Sequence, residues 1–319
     1  VKYEVVQAVA NSELVGIEDI RGSIAAPRAR SLSLIADFVS LTKPRITALV
    51  LLTGAVGTCL ASSHVPVRAW VLSLLGTALI VGSANALNMW WERDVDARMM
   101  RTRARPLPSG RVSSELALAF GLGLGVVAAP MLFLVNAATG LLGVLALVTY
   151  VVIYTPLKRR TPLALLVGAV PGAMPPLLGW STATGAVQRG GLLLFALLFL
   201  WQIPHFAAIA IFRADDYARA GLPVVSVRYG EPGARRWIAV SSVLVAASSL
   251  LFVPFGLASK PYTLIAAILD SAFVLLALRG VMNTDSAFDA RRWAKRVFAA
   301  SIPYLTLLLV ALLVYRVGP

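Results

Sequence analysis

Nine stretches of this chain are long and apolar enough to cross a lipid bilayer, and no other feature narrows its fold as much. They run roughly over 46–63, 69–91, 114–134, 137–156, 163–183, 191–212, 236–256, 261–280 and 297–316. Each approaches the ~20 residues that an α-helix needs to span the hydrocarbon. Backbone in lipid must satisfy its own polar groups, so these segments are expected as helices. Pro171, Pro175, Pro176 and Pro204 interrupt two of them. Membrane helices tolerate such breakers where neighbouring helices re-satisfy the backbone. Composition agrees: 58% of the 319 residues are apolar and the mean hydropathy is +0.80, against ~45–50% apolar for a soluble domain. The expected fold is all-α and polytopic, with one membrane domain over 31–319.

The net charge of +14 could suggest nucleic acid, but its distribution argues otherwise. All but four of the 29 Lys and Arg fall in the N-terminal stretch or the loops on one side; the four are Arg68, Arg189, Lys260 and Arg316. Positive loops stay cytoplasmic. The N-terminus is therefore expected in the cytoplasm and the C-terminus outside, in a cell (inner or plasma) membrane, and no nucleic-acid partner is expected. Residues 1–30 are mixed in composition, without the continuous apolar core of a cleavable signal, and are expected to be poorly ordered. Residues 31–42 carry an amphipathic pattern expected to lie on the bilayer surface. The single Cys59 leaves no disulfide scaffold, and two histidines, His64 and His205, cannot build a multi-histidine zinc site.

Polar chemistry gathers at the end of the second apolar run. Asn88, Glu92 and Asp96 are spaced i, i+4, i+8, a series that drifts by only about 40° per step on a helix. Arg101, Arg103 and Arg105 follow at once. Acids alone would suggest a cation site and bases alone a surface patch. Oxygen ligands on one stripe backed by guanidiniums suggest Mg²⁺ holding a polyphosphate, since Mg²⁺ takes few protein oxygens and leaves the rest to phosphate and water. Arginine chelates the remaining phosphate oxygens. Arg101 and Arg105 are the better placed, and Lys43 and Arg45 lie at the same membrane level. An ordinary solvated helix end with topogenic arginines is the plainer alternative. Asp94 points about 160° from Glu92 and Asp96, which suits a structural role.

A second acidic stretch follows the sixth run on the same side: Arg213, Asp215, Asp216. Adjacent acids cannot point the same way, so one is expected at a second metal and the other elsewhere. Within the sixth run, Gln202 and His205 flank Pro204. An imidazole there is either a hydrogen-bonded core group or a group that ligates haem iron or takes a proton. Asp270, mid-way along the eighth run, has no partner visible in the sequence.

Several stretches together carry a resemblance to a known family: Leu41-Thr-Lys-Pro-Arg45, Asn88-Met-Trp-Trp-Glu92-Arg-Asp-Val-Asp96, Arg105-Pro106-Leu107, Tyr154-Thr-Pro-Leu-Lys158-Arg-Arg-Thr-Pro162, and Trp201-Gln-Ile-Pro-His205-Phe206. The chain resembles the UbiA superfamily of intramembrane prenyltransferases and, within it, the haem O synthases. The resemblance implies nine helices around a central cavity open to the cytoplasm. It implies Mg²⁺ on Asn88, Glu92 and Asp96, with Asp215 or Asp216 at a second ion. It implies farnesyl diphosphate on Lys43, Arg45, Arg101, Arg105, Arg213 and Lys158. Haem b would be the acceptor near His205, Gln202 and Trp180, with Asn88, Glu92, Asp96 and His205 as the catalytic set. Haem A synthase or terminal-oxidase assembly factors would be partners beside the lipid bilayer. Two rival readings are a related prenyltransferase with a quinone-precursor or chlorophyllide acceptor, and a transporter built on Asp270 and the broken helices.

Overall fold

The computed structural model describes residues 33–62, 64–283, 285 and 287–317. The expectation of poor order over 1–30 falls outside them. Among the described residues the chain is helical, with one isolated bridge between Ala258 and Arg316 as its only extended pairing.

Helix α1 covers 33–41. The long helices follow: α2 (Pro44–Ala61), α3 (Val67–Arg98), α4 (Ser114–Phe133), α5 (Ala137–Leu157), α6 (Ala164–Thr184) and α7 (Arg189–Phe212). Two short helices, α8 (Ala214–Arg219) and α9 (Val225–Arg228), lead into α10 (Gly230–Leu250), α11 (Lys260–Met282) and α12 (Ala290–Val314). Within α5 one π-turn occupies Thr149–Tyr154. Eight of these helices are long and apolar enough to cross a membrane.

The ninth expected span corresponds to α10, which lies outside those eight. It occupies the position of the 236–256 run but carries Arg235 and Arg236 near its start and four serines further on. Ser241, Ser242, Ser248 and Ser249 are all buried. Two of them donate to carbonyls of their own helix, Ser241 to Trp237 and Ser248 to Val245. This helix turns its polar stripe inward onto α7 and α11, so it does not need apolar composition on every face. The last helix starts at Ala290, earlier than the apolar run at 297, because its first two turns are rich in Arg and Lys.

Small residues set the helix spacing, as expected where no hydrophobic force drives helices together. A Cβ on Gly57 of α2 would lie 2.1 Å from the Pro176 carbonyl, and one on Gly179 of α6 would lie 1.9 Å from the Gly54 carbonyl. The Thr58 hydroxyl donates to the Gly179 carbonyl at 3.0 Å across the same seam.

Two connections close over the end of α3. The 99–112 segment is pinned to α1, where the Arg111 guanidinium donates to both oxygens of Asp37 at 3.0 and 3.1 Å. Leu107 and Val112 join Leu41, Ala86, Met89 and Ala117 in a small buried cluster. The second connection, after α7, packs Ala220 and Leu222 against Val95 and Met99. Both acid-bearing stretches thus meet at one end of the bundle.

Candidate active site

The stripe expected on α3 forms as a continuous helix that runs past its apolar run to Arg98. Asn88, Glu92 and Asp96 are 4%, 3% and 4% exposed, so these are no solvated helix-end charges. Burying a carboxylate is costly unless it is paired, and each acid has its cation. Lys158, just past α5, donates to Glu92 Oε2 at 3.0 Å. Arg105 donates to Asp96 Oδ2 at 2.7 Å. Asn88 donates from Nδ2 to the Thr155 hydroxyl at 3.0 Å. Thr102 donates to the Asp96 carbonyl at 2.8 Å and so folds the arginine-bearing segment back over the acids.

Lys43 completes the ring of cations. It caps the start of α2 in a left-handed conformation, φ 49°. Asn85, one turn before Asn88, holds the neighbouring Thr42 carbonyl at 3.2 Å. Burial first, and then the charge of Arg105, lowers the Lys43 pKa to about 8. Burial also works against the Lys158 ammonium, but the Glu92 carboxylate beside it outweighs that and raises its pKa above the ordinary lysine value.

The other expected residues divide. Asp216 is buried, pairs with Arg219, and accepts from the Met100 amide at 3.4 Å, which brings it to the end of α3. Asp215, its neighbour, points outward, is 61% exposed and pairs with Arg291 on α12 at 2.8 Å. Successive helical residues face about 100° apart, and Asp215 stands outside the gathered site for that reason. Arg45, Arg101 and Arg213 are exposed, and Arg213 lies over the Phe212 ring at 5.8 Å. Asp94, on the opposite face, pairs with Arg159 at 2.7 Å.

His205 is half-buried between the rings of Trp201 and Phe298, at 4.7 and 4.6 Å. Its Nδ1 meets the Ser301 hydroxyl of α12 at 2.7 Å. Gln202 donates to the Ala169 and Leu198 carbonyls at 3.1 and 3.0 Å and fills the space that Gly172 leaves. It serves the α6–α7 contact, so its expected place at haem is not supported by its bonding. Trp180 is buried at the other end of α6, about 24 Å along the helix from its first residue, and bonds to Gln188 at 3.0 Å. Asp270 has the partners the sequence hid: Ser249 and Tyr304 donate to it, each at 2.6 Å.

Reading the sequence missed Thr155, Thr102 and Ser301 as site-building groups. Only Thr155 carried a usable signal, the proline that follows it. A cavity of about 830 Å³ opens between α11 and α12, lined in part by Arg279, Arg292 and Trp293; none of the expected site residues lines it.

The donor set tests the expected metal. No group of three or more Asp, Glu, His or Cys comes together among the described residues. What comes together is two buried carboxylates and one amide. Glu92 Oε1 is buried and takes no hydrogen bond, although it lies 3.0 Å from the Lys158 nitrogen. A hard oxygen set of two carboxylates and an amide, with few protein ligands, fits Mg²⁺.

The UbiA prenyltransferase family matches residues 50–302. The protoheme IX farnesyltransferase of Anaeromyxobacter sp. (strain Fw109-5) is 52% identical over 292 residues, 90% of this chain and 97% of the relative. That of Myxococcus xanthus (strain DK1622) is 45% identical, covering 91% and 98%. Among solved structures, a digeranylgeranylglyceryl phosphate synthase superposes with TM-score 0.75 at 15% identity, covering 88% of this chain and 98% of that one. A UbiA homologue from Archaeoglobus fulgidus bound to GPP and Mg²⁺ gives 0.59 at 14%, covering 86% and 99%. Likeness at such identities carries the fold alone. With four fifths of its length matched and a relative at 52% identity, the chain belongs to the UbiA prenyltransferase family, among its protoheme IX farnesyltransferases.

Proposed function

We propose that the protein transfers a farnesyl group from farnesyl diphosphate to a vinyl group of haem b, with addition of water, to give haem O. One observation carries the diphosphate half: two buried carboxylates, Glu92 and Asp96, sit among three cations, Lys43, Lys158 and Arg105. The ring already has one surplus positive charge, and a divalent cation adds two more. A diphosphate ester neutralises that surplus. The relatives' name supports the farnesyl donor and the haem acceptor.

Asn88, Glu92 and Asp96 would hold Mg²⁺, which when bound supplies positive charge to the departing diphosphate. Asp216 is the candidate for a second ion. Arg105 and Lys43 would bind phosphate oxygens, with Lys158 beside Glu92. The C1–O bond of the farnesyl group breaks and diphosphate keeps the electron pair. The terminal vinyl carbon attacks C1, and water adds to the adjoining carbon and gives up a proton. No strong base is needed for the vinyl attack.

His205 is the group placed to meet haem or that proton. The Ser301 hydroxyl lies 2.7 Å from both the Phe298 carbonyl and His205 Nδ1; when its proton goes to the carbonyl, Nδ1 carries the histidine proton and Nε2 keeps its lone pair. A cytoplasmic N-terminus, placement in the inner membrane, and downstream haem A synthase or oxidase assembly factors complete the reading. The test is release of diphosphate from farnesyl diphosphate by purified protein. Release that requires both Mg²⁺ and haem b is expected; release that ignores haem b would point to another acceptor.

A further inference from the structure

The π-turn at Thr149–Tyr154 has no part in the chemistry above, and its cause is local. Pro156 has no N–H, and in a regular helix its ring would strike the Val152 carbonyl four residues back. Widening the turn by one residue relieves that clash. Such single-turn bulges are rare and concentrate at functional sites. Here the turn closes with the Thr155 amide on the Tyr150 carbonyl. Without the extra residue, everything after it would be rotated by roughly 100°. The residues after it are the ones that face α3: Thr155 meets Asn88, and Lys158 meets Glu92.

The direction of the bonds then fixes an orientation. The Thr155 hydroxyl donates to the Tyr150 carbonyl at 2.8 Å. A hydroxyl has one proton, so its oxygen is left to accept, and it accepts from Asn88 Nδ2. Thr155 is fully buried and Asn88 nearly so, which leaves no water to compete. An amide that commits its NH₂ to one side presents its carbonyl oxygen to the other.

We propose that Thr155, placed by the π-turn, is a positioning residue that holds the Asn88 amide with Oδ1 turned toward the cation site of Glu92 and Asp96. The inference rests on the reading of Asn88 as a Mg²⁺ ligand. Thr155→Val keeps the shape and removes the donor–acceptor relay, so the amide is free to turn its NH₂ inward. Thr155→Ser keeps the hydroxyl.

The test is Mn²⁺ binding followed by electron paramagnetic resonance, on purified protein saturated with the unreactive thiolo analogue of farnesyl diphosphate. Thermal melts confirm that each variant is folded. Thr155→Val should weaken Mn²⁺ about tenfold, the scale of one buried hydrogen bond, while Thr155→Ser stays within about twofold. Asn88→Ala should also weaken Mn²⁺, and adding Thr155→Val to it should cost nothing further. If Thr155→Val binds Mn²⁺ as wild type while Asn88→Ala does not, the positioning role is overturned and the ligand reading stands. An undiminished Thr155→Val effect in the Asn88→Ala background also overturns it, since Thr155 would then act on the backbone alone. Unchanged Mn²⁺ binding in Asn88→Ala overturns the ligand reading itself.

Discussion

Replacing Lys158 with Met should make the protein's stability depend on Mg²⁺ far more than the wild type's does. The Glu92 side chain is 4% exposed, and Lys158 is its ion-pair partner at 3.0 Å. Removing one member of a buried pair costs ~3–5 kcal/mol, because the other charge is left without a partner. The Lys158 side chain is 24% exposed, so water reaches the gap and the cost is discounted to about 2–3 kcal/mol. For a protein of this size that is roughly a 3–5 °C fall in thermal midpoint. A cation that binds only the folded state returns ~2.7 kcal/mol at a hundredfold excess over its Kd. In wild type that cation must first compete with the ammonium at Glu92, and in the variant it does not. The assay is thermal inactivation in nanodiscs, with chelator or with saturating Mg²⁺. The variant should melt lower in chelator and recover most of the difference in Mg²⁺. The double variant Glu92→Gln/Lys158→Met, which removes both charges of the pair, should also recover. An equal deficit with and without Mg²⁺, and no recovery in the double variant, would refute the reasoning.

Arg105→Ala should weaken binding of farnesyl diphosphate by about tenfold and leave haem titrations unchanged; equal loss of both would make Arg105 a structural clamp on Asp96. Lys43, with its pKa lowered to about 8, should lose its proton as the pH rises through 8, so KM for the diphosphate climbs there, and Lys43→Arg, charged throughout, should flatten the profile. The sign for stability is opposite: a depressed lysine pKa burdens the folded state below pH 8, and the burden lifts between about 8 and the ordinary 10.5. His205→Ala should shift the spectrum of bound haem or weaken its binding while diphosphate binding survives; a lower melting temperature with an unchanged spectrum would leave His205 as packing between Trp201 and Phe298.

What the sequence made legible was periodic. The i, i+4, i+8 spacing of Asn88, Glu92 and Asp96 put three oxygen-bearing groups on one stripe, and the structure buries all three. The arginines next to them were visible as a cluster, but spacing alone did not say that Arg105 turns in while Arg101 turns out. That choice depends on the Thr102 hydrogen bond and on the Arg111–Asp37 pair, whose members are 74 residues apart. Hydropathy located the spans; α10 is less apolar than the other long helices, because a helix with its serine stripe facing protein need not be apolar all round. The resemblance set Trp180 and Gln202 beside haem, and the sequence did not show what they bond to. Their partners are Gln188 and the Ala169 and Leu198 carbonyls, and only packing reveals that. Asp270 looked functional for the same reason, and Ser249 and Tyr304 satisfy it from two other helices.

The most direct measurement is the mass of haem recovered after purified protein is incubated with haem b, farnesyl diphosphate and Mg²⁺. The account predicts haem heavier by one farnesyl group plus one hydroxyl, formed by wild type, absent in chelator, and lost in both Glu92→Ala and Asp96→Ala variants that still fold. Recovery of unmodified haem while farnesyl diphosphate is consumed, or product formation undiminished in either variant, would contradict it.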